Sequence, residues 1–128
     1  MNPGIKNEVS VMVTDALSAK AMGSGTLAVY ATPAMIALME QTAAESVEGL
    51  VEEGKTTVGT KIDAEHLAAT PVGMKVTCKS ELIDVDNRRL VFRIEAFDEA
   101  GLIGKAHHER FIIDQERFIE KTYRKLEK

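Results

Sequence analysis

Apolar and polar residues alternate through EVSVMVT at residues 8–14, with Val9, Val11 and Val13 on one parity, which predicts a half-buried strand. Small apolar residues then run into Gly23, Ser24 and Gly25, the texture of a short helical turn entering a flexible loop. Residues 27–31 allow a brief extended piece before Thr32-Pro33. Proline pushes the residue before it out of helical geometry and suits a first helical position, so a helix is predicted to start here with Thr32 as its N-cap. The run PAMIALMEQTAAESVEGLVEEG has helix formers throughout, no glycine before Gly49, and Gly54 as a stop. Period-two texture returns at residues 56–67, 75–85, 90–98 and 102–113, divided by TPVG, DNRR and DEAG turn signals. The last three of these strands read as a meander. From Gln115, the spacing of Phe118, Ile119, Tyr123 and Leu126 predicts a short closing helix with basic residues late in it. One long helix against one mostly antiparallel sheet makes the fold class α+β, in a single domain spanning 1–128.

Phase along the long helix singles out one side chain. At about 100° per residue, with Ile36 at zero, Met39, Ala43, Val47, Leu50 and Val51 gather within about 60° of it and define an expected buried stripe. Glu45, Glu48 and Glu52 fall on the opposite side, whereas Glu40 falls at about 40°, inside the stripe. A carboxylate taken from water must be hydrogen-bonded, paired or protonated. A glutamate at the stripe's edge that bends out to water satisfies the same periodicity, so the wheel alone leaves both readings open.

His66 supplies a second signal. In the strand at 56–67 it shares parity with Val58, Thr60, Ile62 and Ala64, while Gly59, Lys61, Asp63 and Glu65 take the other face. His66 is therefore expected to face the helix that carries Glu40. Thr32, at the start of that helix, completes a hydroxyl, imidazole and carboxylate set, the residue types acyl transfer uses for nucleophile or water activation, base and orienting group. Simple helix capping by Thr32 and a hydrogen-bonded core histidine remain the plain alternatives.

Composition narrows the field. Hydrophobic residues at 45% are enough for a core, and 16 basic against 20 acidic residues give a net charge of −4, the wrong sign for coating phosphate backbones, so no nucleic-acid partner is expected. No apolar run approaches the ~18 residues that cross a bilayer and MNPGIKNEVS has no signal-peptide pattern, so the expectation is a cytoplasmic protein with no membrane partner. The single cysteine, Cys78, excludes an internal disulfide and any CxxC motif, and reads as a small core residue. His107 and His108 point to opposite faces of a regular strand and cannot jointly chelate, so no metal is expected. Arg88, Arg89, Arg117, Lys121, Arg124 and Lys125 could meet phosphates, though solvated turn and helix charges account for them as well.

The blocks ATPAMIALME, with Thr32 and Glu40, and VGTKIDAEHLAATPVGMKV, with Gly59, His66 and Gly73, resemble the hotdog thioesterases, and within them the fluoroacetyl-CoA thioesterase-like family. The resemblance covers most of the chain. It implies a hotdog fold, a long central helix wrapped by a curved antiparallel sheet, in a homodimer or a dimer of dimers with acyl-CoA sites at the subunit interface. It also implies catalytic roles for Thr32, Glu40 and His66, a glycine near the thioester at Gly59, and no cofactor beyond the CoA of the substrate. The segment GSGTLAVYA before Thr32 departs from a bulky aromatic gate, which leaves a fluorinated substrate in question. The expected activity is hydrolysis of a short or branched acyl-CoA. The alternatives are a hydratase or dehydratase using Glu40 and His66, and a non-catalytic acyl-CoA-binding module.

Overall fold

A computed structural model describes residues 1–127. β1 (Lys6–Met12) leads through a 3₁₀ turn and the one-turn helix α1 (Ala19–Met22) to α2 (Thr32–Val47); β2 (Lys55–His66), β3 (Lys75–Asp86), β4 (Arg89–Asp98), β5 (Gly101–Asp114) and α3 (Gln115–Tyr123) follow. The five strands form one sheet in the order β1-β3-β4-β5-β2, with every pairing antiparallel. β3, β4 and β5 are the expected meander. Asn87 at the β3–β4 turn takes a left-handed φ of 57°, a conformation asparagine tolerates better than most residues. Among the described residues no helix is long and apolar enough to cross a membrane.

The sheet wraps α2. Met35, Met39, Ala43 and Val47 of the helix are buried with Val76, Cys78 and Leu82 of β3 and Phe92 and Ile94 of β4. Burying each large side chain contributes about 1.5–3 kcal/mol, so this layer holds the helix in place. β5 approaches closely because position 104 has no side chain: a Cβ on Gly104 would meet Met35 Sδ at 2.5 Å and the Glu65 carbonyl at 2.9 Å. The outer face is polar, and its cross-strand neighbours alternate in sign from Glu65 through Lys105, Glu95 and Lys79 to Glu8.

Two expectations for α2 need correction. The buried side centres on Met35, Leu38, Met39 and Thr42 instead of Ile36, and the regular helix ends at Val47 before a 3₁₀ turn that leaves Leu50 exposed. The wheel was set on Ile36, yet Thr42 is the buried one, its hydroxyl donating to the Leu38 carbonyl at 2.7 Å. Glu40 consequently stands at the border of the buried face, partly covered. The second correction concerns the N-cap, which is Ala31; Thr32 is the first helical residue and makes no capping hydrogen bond.

β2 is an edge strand, paired only on its β5 side. Its register slips between Gly59 and Lys61, where Thr60 bulges. A one-residue insertion inverts the alternation of faces, so Gly59 points to the helix side along with Ile62, Ala64 and His66, not away from it as strict parity requires.

Candidate active site

The freed Thr32 hydroxyl lies 2.8 Å from His66 Nδ1. The first turn of α2 places the hydroxyl, and the last residue of β2 places the imidazole. Both line a cleft of about 290 Å³ whose walls include Ala19, Ser24, Val29, Tyr30 and Leu67. The Tyr30 ring stands edge-on to the imidazole, 6.4 Å between centroids, and its own hydroxyl is pushed up to about 12 by burial. A threonine O–H donating to Nδ1 leaves the proton of a neutral imidazole on Nε2. That Nε2 is buried and has no hydrogen-bond partner among the described residues. Burial lowers the His66 pKa from its ordinary 6.5, an effect that the Ala68 backbone partly offsets. The ring is therefore held in the form that can accept a proton. Helix first turns also leave backbone N–H groups without intrahelical partners, which favours developing negative charge beside Thr32.

Glu40 lies elsewhere. It is two turns further along α2, about 12 Å at ~1.5 Å per residue, and no hydrogen bond joins it to Thr32 or His66 among the described residues. Its carboxylate borders Gly59: a Cβ there would stand 3.0 Å from Glu40 Oε2 and 3.2 Å from both Arg110 Nη1 and His108 Cε1. The bulge thus presents a bare backbone to a carboxylate, a guanidinium and an imidazole at once.

His108 and Arg110 were not among the expected site residues. They share parity with Ala106 on β5 and are buried, whereas His107 is exposed on the outer face. The same test that singled out Glu40, an ionisable side chain on an apolar face, would have found them. Arg110 Nη1 donates to His108 Nε2 at 3.1 Å, and its other nitrogens donate to Thr57 Oγ1 at 2.9 Å and the Thr57 carbonyl at 3.0 Å. Since guanidinium can only donate, His108 Nε2 accepts and its Nδ1–H donates to the Lys61 carbonyl at 2.8 Å, which makes the ring neutral. Burial first, and the neighbouring Arg110 charge after it, keep His108 below its ordinary pKa. Burial also depresses Arg110, and the Glu40 carboxylate opposes that shift. Cys78, its thiol raised to about 11 by burial, is a core residue and no nucleophile.

A long helix cupped by a five-stranded antiparallel sheet is the arrangement of the hotdog class, and the threonine–histidine pair at the helix start supplies a hydroxyl beside a base. A Thermus thermophilus member of the thioesterase superfamily is 28% identical and superposes with a TM-score of 0.88, covering 98% of this chain and 92% of that one. The family model described as fluoroacetyl-CoA-specific thioesterase matches residues 13–116, and the chain belongs to that family. It is 40% identical over 97 residues to the fluoroacetyl-CoA thioesterase of Streptantibioticus cattleyicolor, covering 76% of this chain and 70% of the relative. A solved structure of a fluoroacetyl-CoA thioesterase superposes with a TM-score of 0.92 at 32% identity, covering 98% of this chain and 97% of that one.

Proposed function

We propose that this thioesterase hydrolyses short acyl-CoA thioesters at sites shared between two subunits, Thr32 and His66 from one and Glu40 from the other. The observation that carries this reading is the Thr32–His66 hydrogen bond with His66 Nε2 left buried and unpartnered. His66 takes a proton at Nδ1 from Thr32 or from a water that the hydroxyl positions. The imidazolium then formed needs an anion at Nε2, and Glu40 cannot reach from its own subunit. An unpaired 12-residue edge strand supports a two-fold pairing of β2 with β2, which would lay Glu40 and Gly59 of the partner subunit beside His66. The tetrahedral oxyanion falls to backbone N–H groups at the start of α2 or at Gly59. No resident cofactor enters these steps; CoA arrives as part of the substrate and leaves as the thiol.

The Gly23, Ser24, Gly25 and Thr26 run beside the cleft carries no aromatic side chain. Release of free thiol from a panel of acetyl-, fluoroacetyl-, propionyl-, isobutyryl- and octanoyl-CoA tests the assignment. Turnover is expected for the short and branched members and weak or absent for octanoyl-CoA. Tight binding across the panel with no thiol released would establish the non-catalytic binding module instead, and hydration of an enoyl-CoA without thiol release would establish a hydratase.

The pH profile carries a further expected outcome. His66 acts only when neutral, so kcat falls as pH drops through its pKa. A carboxylate at Nε2 favours the imidazolium and raises that pKa, whereas burial lowers it. Removing the carboxylate in Glu40→Gln leaves burial alone, so the acid limb of the residual activity should move to lower pH. A limb that stays in place, measured over pH 5–8 in steps of about 0.5, would separate Glu40 from His66.

A further inference from the structure

α3 and the 3₁₀ turn that continues it (Arg124–Leu126) present much of an apolar face to solvent. Ile119, Tyr123 and Leu126 are 54%, 61% and 77% exposed, Phe118 stands beside them, and Arg117, Glu120, Lys121 and Arg124 occupy the other side. A nine-residue helix with so little of its apolar face packed does not persist in water on propensity alone. Asp114 caps it, accepting from the Arg117 N–H at 3.0 Å, and the Gln115 N–H donates to the Gly54 carbonyl at 3.0 Å. These bonds root α3 at the beginning of β2, where Asp114 pairs with Lys55.

A second exposed apolar group lies at the other end of the same strand. Leu67 follows His66 directly and is 50% exposed, and Leu27, in the loop before Val29 and Tyr30 of the cleft wall, is 67% exposed. Within one subunit a 12-residue strand, about 40 Å at ~3.3 Å per residue, separates the root of α3 from this group, so neither covers the other. The dimer changes that. Gly59 borders Glu40, so the pairing that brings the partner's Glu40 to His66 sets the partner's Gly59 opposite His66. In antiparallel register each step back along one strand is a step forward along its neighbour, so the partner's Lys55, four residues before its Gly59, falls past the His66 end of β2. The partner's α3 then starts beside Leu67, Ala68 and Ala69.

We propose that each α3 packs its Phe118, Ile119 and Tyr123 face onto Leu27 and Leu67 of the other subunit and forms an outer wall of that subunit's thioester cleft. This rests on the shared-site dimer proposed above, with a second copy of this chain as the occupant. The wall would close the open side of the cleft around the arm of the substrate, so substrate affinity should depend on it more than the chemical step does. It would also explain why the chain keeps an amphipathic helix whose Ile119 and Tyr123 its own subunit leaves largely uncovered.

Two chains, one Tyr123→Cys and one Leu27→Cys, are isolated as mixed dimers through different tags and oxidised. Buried Cys78 does not compete for the disulfide. A covalent heterodimer is expected for this pair and not for Tyr123→Cys with Leu50→Cys, a residue that is equally open but near the opposite end of β2. In parallel, the double variant Phe118→Ser with Ile119→Ser should remain dimeric by light scattering and raise KM for a short acyl-CoA roughly tenfold, with kcat changed much less. A dimeric Tyr123→Cys with Leu27→Cys pair that gives no cross-link, or an unchanged KM in the double variant, overturns the wall and leaves the shared site standing. A monomeric wild-type chain at micromolar concentration overturns both.

Discussion

Glu40→Gln is expected to lower kcat by roughly 10² or more while the protein stays folded. The amide keeps the volume of the carboxylate but, in the proposed shared site, could not stabilise the imidazolium that would form on the partner's His66 as a proton is taken up. The stability change separates this role from mere burial. An unpaired buried carboxylate carries a desolvation cost, and neutralising one would raise stability by roughly 1 kcal/mol. Here the carboxylate stands beside the buried Arg110 guanidinium at Gly59, and its charge opposes the shift that burial imposes on Arg110. Removing it leaves Arg110 without that counter-charge, so the melting temperature of Glu40→Gln should hold or fall slightly, not rise. Glu45→Gln on the exposed side of α2, where Glu45 accepts from Gln41 at 3.0 Å, controls for charge loss and should keep full turnover. Unchanged kcat in Glu40→Gln, whatever its melting temperature, would remove the carboxylate from the mechanism.

Most of the fold was legible because its patterns are local. Alternation located five strands within a few residues, and Pro33 and the glycines at 49 and 54 bracketed the long helix. The errors came where a local rule met a tertiary one. Thr32 looks like an N-cap, yet Ala31 takes that position because the threonine hydroxyl has a long-range partner in His66. The helical wheel was set on Ile36 and did not weigh Thr42, which packs inside because its hydroxyl is satisfied within the helix. Strict parity put Gly59 on the wrong face because one bulged residue, Thr60, is invisible to a period-two count. The site shows the same division. The structure brings Thr32 and His66 within hydrogen-bond distance across 34 positions, and both were singled out by asking which polar side chains face the helix–sheet interface. Glu40 was assigned to them on the same grounds, but its phase on α2 says nothing of its height along the axis. Height separates it from His66 within the subunit and places it with His108 and Arg110.

Complementation between two inactive chains tests the shared site most directly. His66→Ala removes the base and Glu40→Gln removes the orienting anion, so each homodimer should lose roughly 10² or more in turnover. In a mixed dimer the two defects distribute unequally. One site combines the damaged His66 position of the first chain with the damaged Glu40 position of the second, and is doubly defective. The other combines the intact Thr32 and His66 of the Glu40→Gln chain with the intact Glu40 of the His66→Ala chain. A purified heterodimer should therefore recover about half of wild-type turnover, one working site of two. If Glu40 served the histidine of its own chain, both sites would keep a lesion and mixing would restore nothing. Separating the mixed species by differential tags before assay, and confirming their composition by mass, excludes wild-type contamination. The gain predicted is on the order of fiftyfold over either parent, well outside what subunit exchange or partial refolding could produce. A heterodimer as inactive as its parents would overturn the placement of the partner's Glu40 at His66.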